Sequence, residues 1–333
     1  MSPNLSDVPL VDLQVNGGWG VDFSSPDASL SDFRDCCEAV LANGTAAFLA
    51  TMVSSPLEVY RRNLPMLASL TNEPPLRGRL LGTHLEGPFI PADDRVLGAH
   101  RKKHVRACST QLFDDLLELS AGALRMLTLA AEQPRATKLI RHGARNGVVI
   151  SVGHSHHTIE QLDAAQRAGA RILTHLGNAL PNVIGRRDNP WYTGLLNDDL
   201  SATFIADGHH LSASMLEILF RCKTPQRLIA VSDAAPIAGL PPGRYHTLGQ
   251  AAVLEPSGRL VNVLEDHLVG SSASLVDCLN TLLRLRICGP AECVRVGSVN
   301  PMAVLGLTRR DLPQRRTRVA YDPTARRFAV RGE

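Results

Sequence analysis

Residues 148–175 read VVISVGHSHHTIEQLDAAQRAGARILTH and contain a complete strand–helix–strand unit. A β-branched, apolar run ends at His154, a segment of helical composition spans Thr158–Gly169, and a second run, Arg171–His175, follows directly. Strands that alternate with helices in this way pair in parallel. Both runs lack an alternation of polar and apolar residues, as expected for strands whose outer face is covered by helices. The stretch therefore predicts a βαβ unit in which each strand ends in a histidine.

The same unit recurs along the chain. Eight β-type runs can be counted, at Leu10–Asn16, Ala46–Met52, Leu80–Glu86, Arg125–Ala131, Val148–His154, Arg171–His175, Ala202–Asp207 and Leu228–Asp233. Helix-compatible segments lie between most of them, at Leu30–Asn43, Ser55–Leu70, Thr110–Ala121, Pro134–Asn146, Thr158–Gly169 and Ser212–Cys222. Eight such units predict an α/β fold, namely a closed (β/α)8 barrel of the TIM type.

The barrel domain is predicted to span residues 8–310, with two further helices at Ser274–Arg286 and Pro290–Leu305. Two long loops, 87–109 and 177–199, follow the third and sixth strands, so we expect both on the catalytic face. After the eighth strand, residues 239–258 are typical of turns and short strands. Residues 311–333 are predicted to form a short C-terminal β segment with a turn at Asp322-Pro323.

Composition argues against several classes of protein. The 333 residues carry a net charge of only +3 and 4% aromatic residues, which argues against a nucleic-acid-binding surface. The seven cysteines are scattered and form no CxxC pair, as expected in a reducing compartment. The N-terminus lacks a basic and apolar leader, and no apolar run approaches the roughly 18 residues that span a bilayer. We therefore expect a soluble cytoplasmic protein with no membrane partner.

Polar residues occupy seven of the predicted strand ends, which is where barrel enzymes carry their catalytic groups. A single histidine at a strand end is more often structural, but two of them with a Glu and an Asp at equivalent ends indicate a metal site. Glu86, His154 and His175 offer three ligands, and Asp233 adds a carboxylate. A hydrolytic zinc site is built in this way, with one position open for water. The full set is Asn16, Glu86, Glu132, His154, His175, Asp207 and Asp233.

Neighbouring histidines require separate interpretation. His156 and His157 follow His154 and are interpreted as polar residues at the start of the next helix. His84 lies two residues before Glu86, so it shares a face of the strand but lies lower in the barrel. A position behind the metal ligands and a place in the barrel core are equally compatible with its spacing.

An ordered series of motifs resembles the N-acetylglucosamine-6-phosphate deacetylase family of the amidohydrolase superfamily. HLEGPF at 84–89 is the most specific of them, and the series extends over about residues 10–306. The other motifs are Val15-Asn16-Gly17, Gly98-Ala99-His100, Gly153-His154-Ser155, Thr174-His175-Leu176 with Asn178-Ala179, Gly185-Arg186, Asp207-Gly208 with His210, Ser232-Asp233-Ala234 and Gly270-Ser271-Ser272.

The resemblance implies a metal-dependent amidohydrolase that removes acetate from N-acetylglucosamine 6-phosphate to give glucosamine 6-phosphate. Glu86, His154 and His175 would bind one divalent metal ion per chain, with Zn²⁺ expected and Fe²⁺ or Mn²⁺ as alternatives. Gln14 and Asn16 replace the His-x-His pair that supports a second ion in many superfamily members. These two residues, like His84, would lie behind the ligands.

The resemblance also assigns roles around the substrate. Asp233 would be the general base, and His100 would polarise the acetamide carbonyl and contact the substrate. His210 would hold the sugar, and the backbone amides of Asn178 and Ala179 would cradle the phosphate. Arg186 would reach the phosphate from a neighbouring subunit, which implies a homodimer.

Departures from the family pattern leave alternatives open. The small β-sandwich domain is expected to be truncated or missing, with residues 311–333 as its remnant. Gly177 replaces the usual aromatic residue and is expected to enlarge or loosen the sugar pocket. Deacetylation of N-acetylgalactosamine 6-phosphate or another N-acyl amine is therefore an alternative. An alternative from a different class is a non-catalytic barrel that binds a sugar phosphate.

Overall fold

The computed structural model describes residues 5–181, 183–187, 189–264, 267–314 and 317–332. Eight parallel strands form one sheet in sequential order. This arrangement confirms the predicted (β/α)8 barrel, and six of the eight strands end one or two residues before the predicted position. The strands are β1 (Leu10–Val15), β2 (Thr45–Met52), β3 (Leu80–Glu86), β4 (Leu124–Leu129), β5 (Val149–Val152), β6 (Ala170–Leu173), β7 (Ser201–Ile205) and β8 (Leu228–Val231).

The sheet closes on itself between β1 and β8. Val15 forms an isolated parallel bridge with Ala234, and the amide of Asn16 donates to the Ala234 carbonyl at 2.9 Å. Lower in the seam, the amide of Ser232 donates to both carboxylate oxygens of Asp12 at 3.2 Å. The Asp12 side chain thus replaces part of the backbone hydrogen bonding between β1 and β8. The contact between these strands also holds Asn16 next to the residues that follow β8.

Helices cover the outside of the barrel. Their ends are set by local capping: α6 starts with a capping box between Thr158 and Gln161 and ends at Gly169, whose φ of 118° favours glycine. The predicted helices are all present, whereas α3 and α7 lie in segments predicted as loops. The helices are α1 (Leu30–Ala42), α2 (Leu57–Leu70), α3 (Asp94–Leu97), α4 (Thr110–Leu119), α5 (Ala136–Arg145), α6 (Ile159–Ala168), α7 (Pro190–Leu196), α8 (Ala213–Lys223), α9 (Leu275–Arg284), α10 (Pro290–Val294) and α11 (Asn300–Val304).

The lower half of the barrel is filled with apolar side chains. The strands contribute inward-facing residues such as Leu13, Leu49 and Ile229, and Met302 and Leu305 at the end of α11 pack against them from below. A π-helical turn, Arg295–Val299, joins α10 to α11. Because the bottom is packed, a cavity can form only at the mouth, where the carboxyl ends of the strands meet.

Three small sheets complete the fold among the described residues, the smallest being a hairpin of Gly17–Gly18 with Val21–Asp22. Strands β9 (Gly243–Thr247), β10 (Gln250–Leu254) and β11 (Leu260–Asn262) form an antiparallel sheet where turns and short strands were expected. Strands β12 (Thr317–Asp322) and β13 (Arg327–Gly332) form the C-terminal hairpin, which is fixed to α9 by reciprocal hydrogen bonds between Asn280 and Phe328. The domain boundary at 310 and the origin of this hairpin as a sandwich remnant stay predictions.

Among the described residues, no helix combines the length and the apolar character needed to cross a membrane.

Candidate metal-dependent active site

Three predicted site residues reach the barrel mouth by the same local geometry. His154, His175 and Asp233 each lie two residues beyond the last residue of a strand, β5, β6 and β8 respectively. All three adopt positive φ, at 49°, 30° and 49°. This backbone region costs a non-glycine residue about 1–2 kcal/mol, and such residues cluster at functional sites. All three side chains line the cavity at the mouth, which has a volume of about 1120 Å³.

Glu86, His154 and His175 converge in a way that fits a metal ion. All three are buried, and Glu86 Oε1 lies 3.2 Å from His154 Nε2 and 3.0 Å from His175 Nε2. The two histidine Nε2 atoms are 3.1 Å apart. A tetrahedral ion with bonds of about 2.0–2.1 Å would separate its ligand atoms by about 3.3 Å, close to these three distances. The donor set and its spacing therefore suit Zn²⁺ or a similar divalent ion.

Surrounding groups orient these ligands. His154 Nδ1 donates to the carbonyl of Val96 at 2.7 Å, so the lone pair of the neutral ring lies on Nε2, toward the centre of the group. Gln14 Nε2 donates to Glu86 Oε1 at 2.7 Å. Burial alone would raise the pKa of Glu86, but the imidazoles of His154, His100 and His175 around its carboxylate hold the pKa well below its usual value. Glu86 is therefore ionised, as an anionic metal ligand would be.

Asp233 lies beside this group as a separate carboxylate. Its Oδ1 accepts a hydrogen bond from Asn16 Nδ2 at 2.8 Å. Burial and the negative charge of Glu86 raise the pKa of Asp233 to about 6. A carboxyl group with such a pKa can both accept and return a proton near neutral pH, as a general base and acid must.

His100 presents an N–H group to the cavity. Its Nδ1 accepts from the amide of Ser54 at 3.2 Å and lies 2.9 Å from Ser54 Oγ, so the ring proton is on Nε2. Burial and the neighbouring His154 imidazole lower the pKa of His100 to about 4, which makes the ring neutral at pH 7. Nε2 has no hydrogen-bond acceptor among the described residues, although Glu86 Oε2 lies 3.4 Å away. It can therefore donate to a substrate oxygen.

Three further residues predicted to bind substrate, Asn178, Ala179 and His210, line the same cavity. His210 is fixed by a 2.7 Å hydrogen bond from its Nδ1 to Asp207. Asn178 and Ala179 line the cavity, but the Asn178 amide already donates to the His175 carbonyl at 2.9 Å. Of these two backbone amides, only that of Ala179 lacks an acceptor within the described ranges. Arg186 is exposed and lies outside the residues that line the cavity.

The remaining strand-end candidates have structural partners. His84 lies below the metal ligands, where its Nε2 accepts from Thr128 Oγ1 at 2.8 Å and its Nδ1 donates to the Leu13 carbonyl at 3.1 Å. Burial lowers the pKa of His84 to about 4, so it is a neutral residue of the barrel core. Glu132 binds Ser155 and the amide of His156 rather than the metal ligands.

One expectation needs correction. Gly177 does not enlarge the pocket, because a Cβ atom there would lie 2.8 Å from both Trp191 and Leu211, whose side chains fill that space. His157 directly precedes the helix N-cap Thr158, as expected, but it also makes a contact that the sequence did not indicate. Its side chain is buried and bridges Ser155 and Thr193. Nothing in the local sequence indicated this bridge, because Thr193 lies 36 residues further along the chain.

Comparison with known proteins gives consistent matches, although no family model matches the chain. The chain is 36% identical over 311 residues to the N-acetylglucosamine-6-phosphate deacetylase of Bos taurus, covering 90% of this chain and 74% of the bovine protein. It is 29% identical over 297 residues to the N-acetylgalactosamine-6-phosphate deacetylase of Escherichia coli O157:H7, covering 89% of this chain and 77% of that protein.

Solved structures agree with these sequence matches. The crystal structure of N-acetyl-D-glucosamine-6-phosphate deacetylase from Mycobacterium smegmatis aligns with a TM-score of 0.87 at 27% identity, over 98% of this chain and 85% of that chain. A mutant of the mycobacterial enzyme, in complex with N-acetyl-D-glucosamine-6-phosphate, aligns with the same TM-score and coverage at 26% identity.

Proposed function

The chain belongs to the N-acetylglucosamine-6-phosphate deacetylase family of amidohydrolases, and from this membership we propose that it hydrolyses N-acetylglucosamine 6-phosphate to glucosamine 6-phosphate and acetate. One observation supports the proposal most strongly: the convergence of Glu86, His154 and His175 beside Asp233 at the barrel mouth. An amide carbonyl is a poor electrophile and hydroxide is scarce near pH 7. A hydrolase for this bond therefore needs both an electrophilic group and a base at one point.

The metal ligands in this proposal are Glu86, His154 and His175, with one Zn²⁺ per chain and Fe²⁺ or Mn²⁺ as alternatives. When bound, such an ion supplies a Lewis acid that activates water near neutral pH and stabilises negative charge. Gln14 and Asn16 are poor ligands, and both donate to site carboxylates. This arrangement supports a single-metal site.

Asp233 would carry the proton transfers. Because Asn16 occupies Oδ1, Oδ2 is available to accept a proton from the attacking water. Asp233 would then return that proton to the departing nitrogen, without which cleavage of the C–N bond would stall. The Nε2–H group of His100 would donate a hydrogen bond to the acetamide oxygen as negative charge develops there.

Phosphate binding would involve the part of the cavity that the segment after β6 lines. Ala179 offers a backbone amide, whereas the Asn178 amide would have to exchange its bond to His175. His210, fixed by Asp207, would hold the sugar. Arg186 lies outside this cavity, which is compatible with a role toward a neighbouring subunit in a homodimer, where its guanidinium would bind the phosphate.

A second candidate is deacetylation of N-acetylgalactosamine 6-phosphate. The N-acetylgalactosamine-6-phosphate deacetylase of Escherichia coli O157:H7 matches 89% of this chain and is 29% identical to it. A non-catalytic sugar-phosphate-binding barrel is less compatible with the sequence, because none of the predicted ligands and neither Asp233 nor His100 has been replaced.

The test is acetate release from N-acetylglucosamine 6-phosphate, N-acetylgalactosamine 6-phosphate and unphosphorylated N-acetylglucosamine, with metal content determined on the same sample. We expect turnover of the first compound with the highest kcat/KM, and loss of turnover after chelation that Zn²⁺ restores. A higher kcat/KM for N-acetylgalactosamine 6-phosphate would instead support the second candidate function. Binding of both phosphates without any acetate release would support the non-catalytic barrel.

A further inference from the structure

One wall of the cavity is formed by the segment that follows β6. The residues that line the cavity from this segment are Gly177, Asn178, Ala179, Leu180, Pro181 and Val183. Under the proposed function, this wall faces the phosphate end of the substrate. The described residues of this segment before Asn189 form no helix or strand, so their positions must depend on what supports them from behind.

Helix α7 is that support. A Cβ atom on Gly177 would lie 2.8 Å from Trp191, and one on Gly194 would lie 2.6 Å from Leu176. The helix and the start of the wall therefore pack so closely that glycine is needed on both sides. At the other end of the segment, Asn189 caps α7 and its Nδ2 donates to the Gly185 carbonyl at 2.7 Å, next to Arg186. A shift of α7 would therefore move both ends of the wall.

His157 connects α7 to the loop that carries the metal ligand His154. Its ring is buried, with Nδ1 3.0 Å from Ser155 Oγ and Nε2 3.1 Å from Thr193 Oγ1 on α7. Ser155 Oγ donates to the carboxylate of Glu132, which can only accept, so Ser155 must accept from His157. The ring proton is therefore on Nδ1, so Nε2 can accept from the Thr193 hydroxyl, for which the Pro190 carbonyl at 3.3 Å is a second acceptor.

We propose that His157 is a positioning residue for the phosphate-binding wall, acting through Thr193 and α7. This inference depends on the proposed function for the identity of the bound group. The side-chain series Thr193–His157–Ser155–Glu132 joins the segments that follow β6, β5 and β4 through hydrogen bonds. None of the four side chains lines the cavity, so the series acts through the position of the wall and does not contact substrate.

The experiment that tests this positioning role compares two variants with a matched control. Thr193→Val removes the hydroxyl with little change in shape, and His157→Phe keeps a ring without either hydrogen bond. Ser120→Ala removes another buried hydroxyl, which donates to the Leu116 carbonyl at 2.7 Å at the end of α4. For each protein, kcat and KM are measured with N-acetylglucosamine 6-phosphate and with the unphosphorylated sugar, together with metal content and hydrogen exchange of residues 177–196.

Both variants at the series should raise KM for the phosphorylated substrate roughly tenfold, because small displacements of positioning groups have large effects. KM for the unphosphorylated sugar, kcat and metal content should change less than about twofold, and hydrogen exchange should accelerate within 177–196 only. Ser120→Ala should leave all of these values unchanged. An equal rise in KM for both substrates, or a loss of bound metal, would overturn the proposal. His157 would then contribute to the general stability of the loop that carries His154.

Hydrogen exchange separates this inference from the proposed function. If the wild-type protein releases no acetate, the function fails, but faster exchange confined to 177–196 in both variants would still establish the positioning role. Unchanged exchange in both variants would overturn the role of His157 whatever the substrate is.

Discussion

Replacement of Asn16 by leucine should change the pH dependence of the reaction while leaving the metal in place. Asn16 Nδ2 donates to Asp233 Oδ1 at 2.8 Å, and both side chains are buried. Leucine has a similar volume but cannot donate. The hydrogen bond stabilises the ionised form of Asp233, so its loss should raise the pKa of that carboxyl group further above its usual value.

The magnitude follows from the type of hydrogen bond. A hydrogen bond to a charged group contributes roughly 1.5–3 kcal/mol, and one pKa unit corresponds to about 1.36 kcal/mol. The pKa of Asp233 should therefore rise by about 1–2 units. Because a general base must be deprotonated, the acidic limb of the kcat/KM profile should move to higher pH by the same amount.

The assay is acetate release as a function of pH, with metal content measured for each protein. Asn63→Leu is the matched control, because Asn63 is also buried and donates to the carbonyls of Phe23 and Ser25 at 2.9 and 2.8 Å. Asn63→Leu should lose stability without moving the acidic limb. An acidic limb that stays in place or moves to lower pH in Asn16→Leu, with metal retained, would refute the assignment of Asp233 as the base oriented by Asn16.

Three further predictions concern the ligands and the cavity wall. Glu86→Gln removes the ionised ligand, so metal affinity measured by competition with a chelator should fall at least about tenfold. Asp207→Asn should raise KM by freeing His210. Burial alone would raise the pKa of Asp207, but its bonds to His210 lower it below 3.8. The stabilisation it provides is therefore complete above about pH 4 and lost as pH falls further, and acid titrations monitored by circular dichroism should be flatter in the variant. Gly177→Ala combines a φ of 99° with contacts of 2.8 Å, so urea unfolding should show a loss of about 2–4 kcal/mol.

The barrel could be predicted because its strands are short apolar runs with a polar residue at the end. At β5, β6 and β8 the predicted strand ends lie two residues too far along the chain. His154, His175 and Asp233 are outside the strands because they adopt positive φ. Periodicity does not reveal such a turn when the residue is not glycine. The same turn places the side chains at the cavity, so these errors of boundary fall on the residues of the candidate site.

Helix α7 was predicted as loop for a different reason. Its sequence, PWYTGLL, contains a glycine and spans seven residues, which is too short for a periodic signal. The helix forms because Trp191 and Gly194 pack against Leu176 and Gly177, which are contacts between segments. The bridge made by His157 could not be predicted for the same reason, because its partner Thr193 lies on that helix.

The most direct test of the account compares the wild-type protein with Asp233→Asn. Each protein is loaded with Zn²⁺, the bound metal is counted, and acetate release from N-acetylglucosamine 6-phosphate is measured. We predict one metal ion per chain in both proteins, with turnover in the variant reduced by a factor of about 10²–10⁴. Full turnover in Asp233→Asn, or a wild-type protein that holds one ion per chain and releases no acetate, would contradict the account.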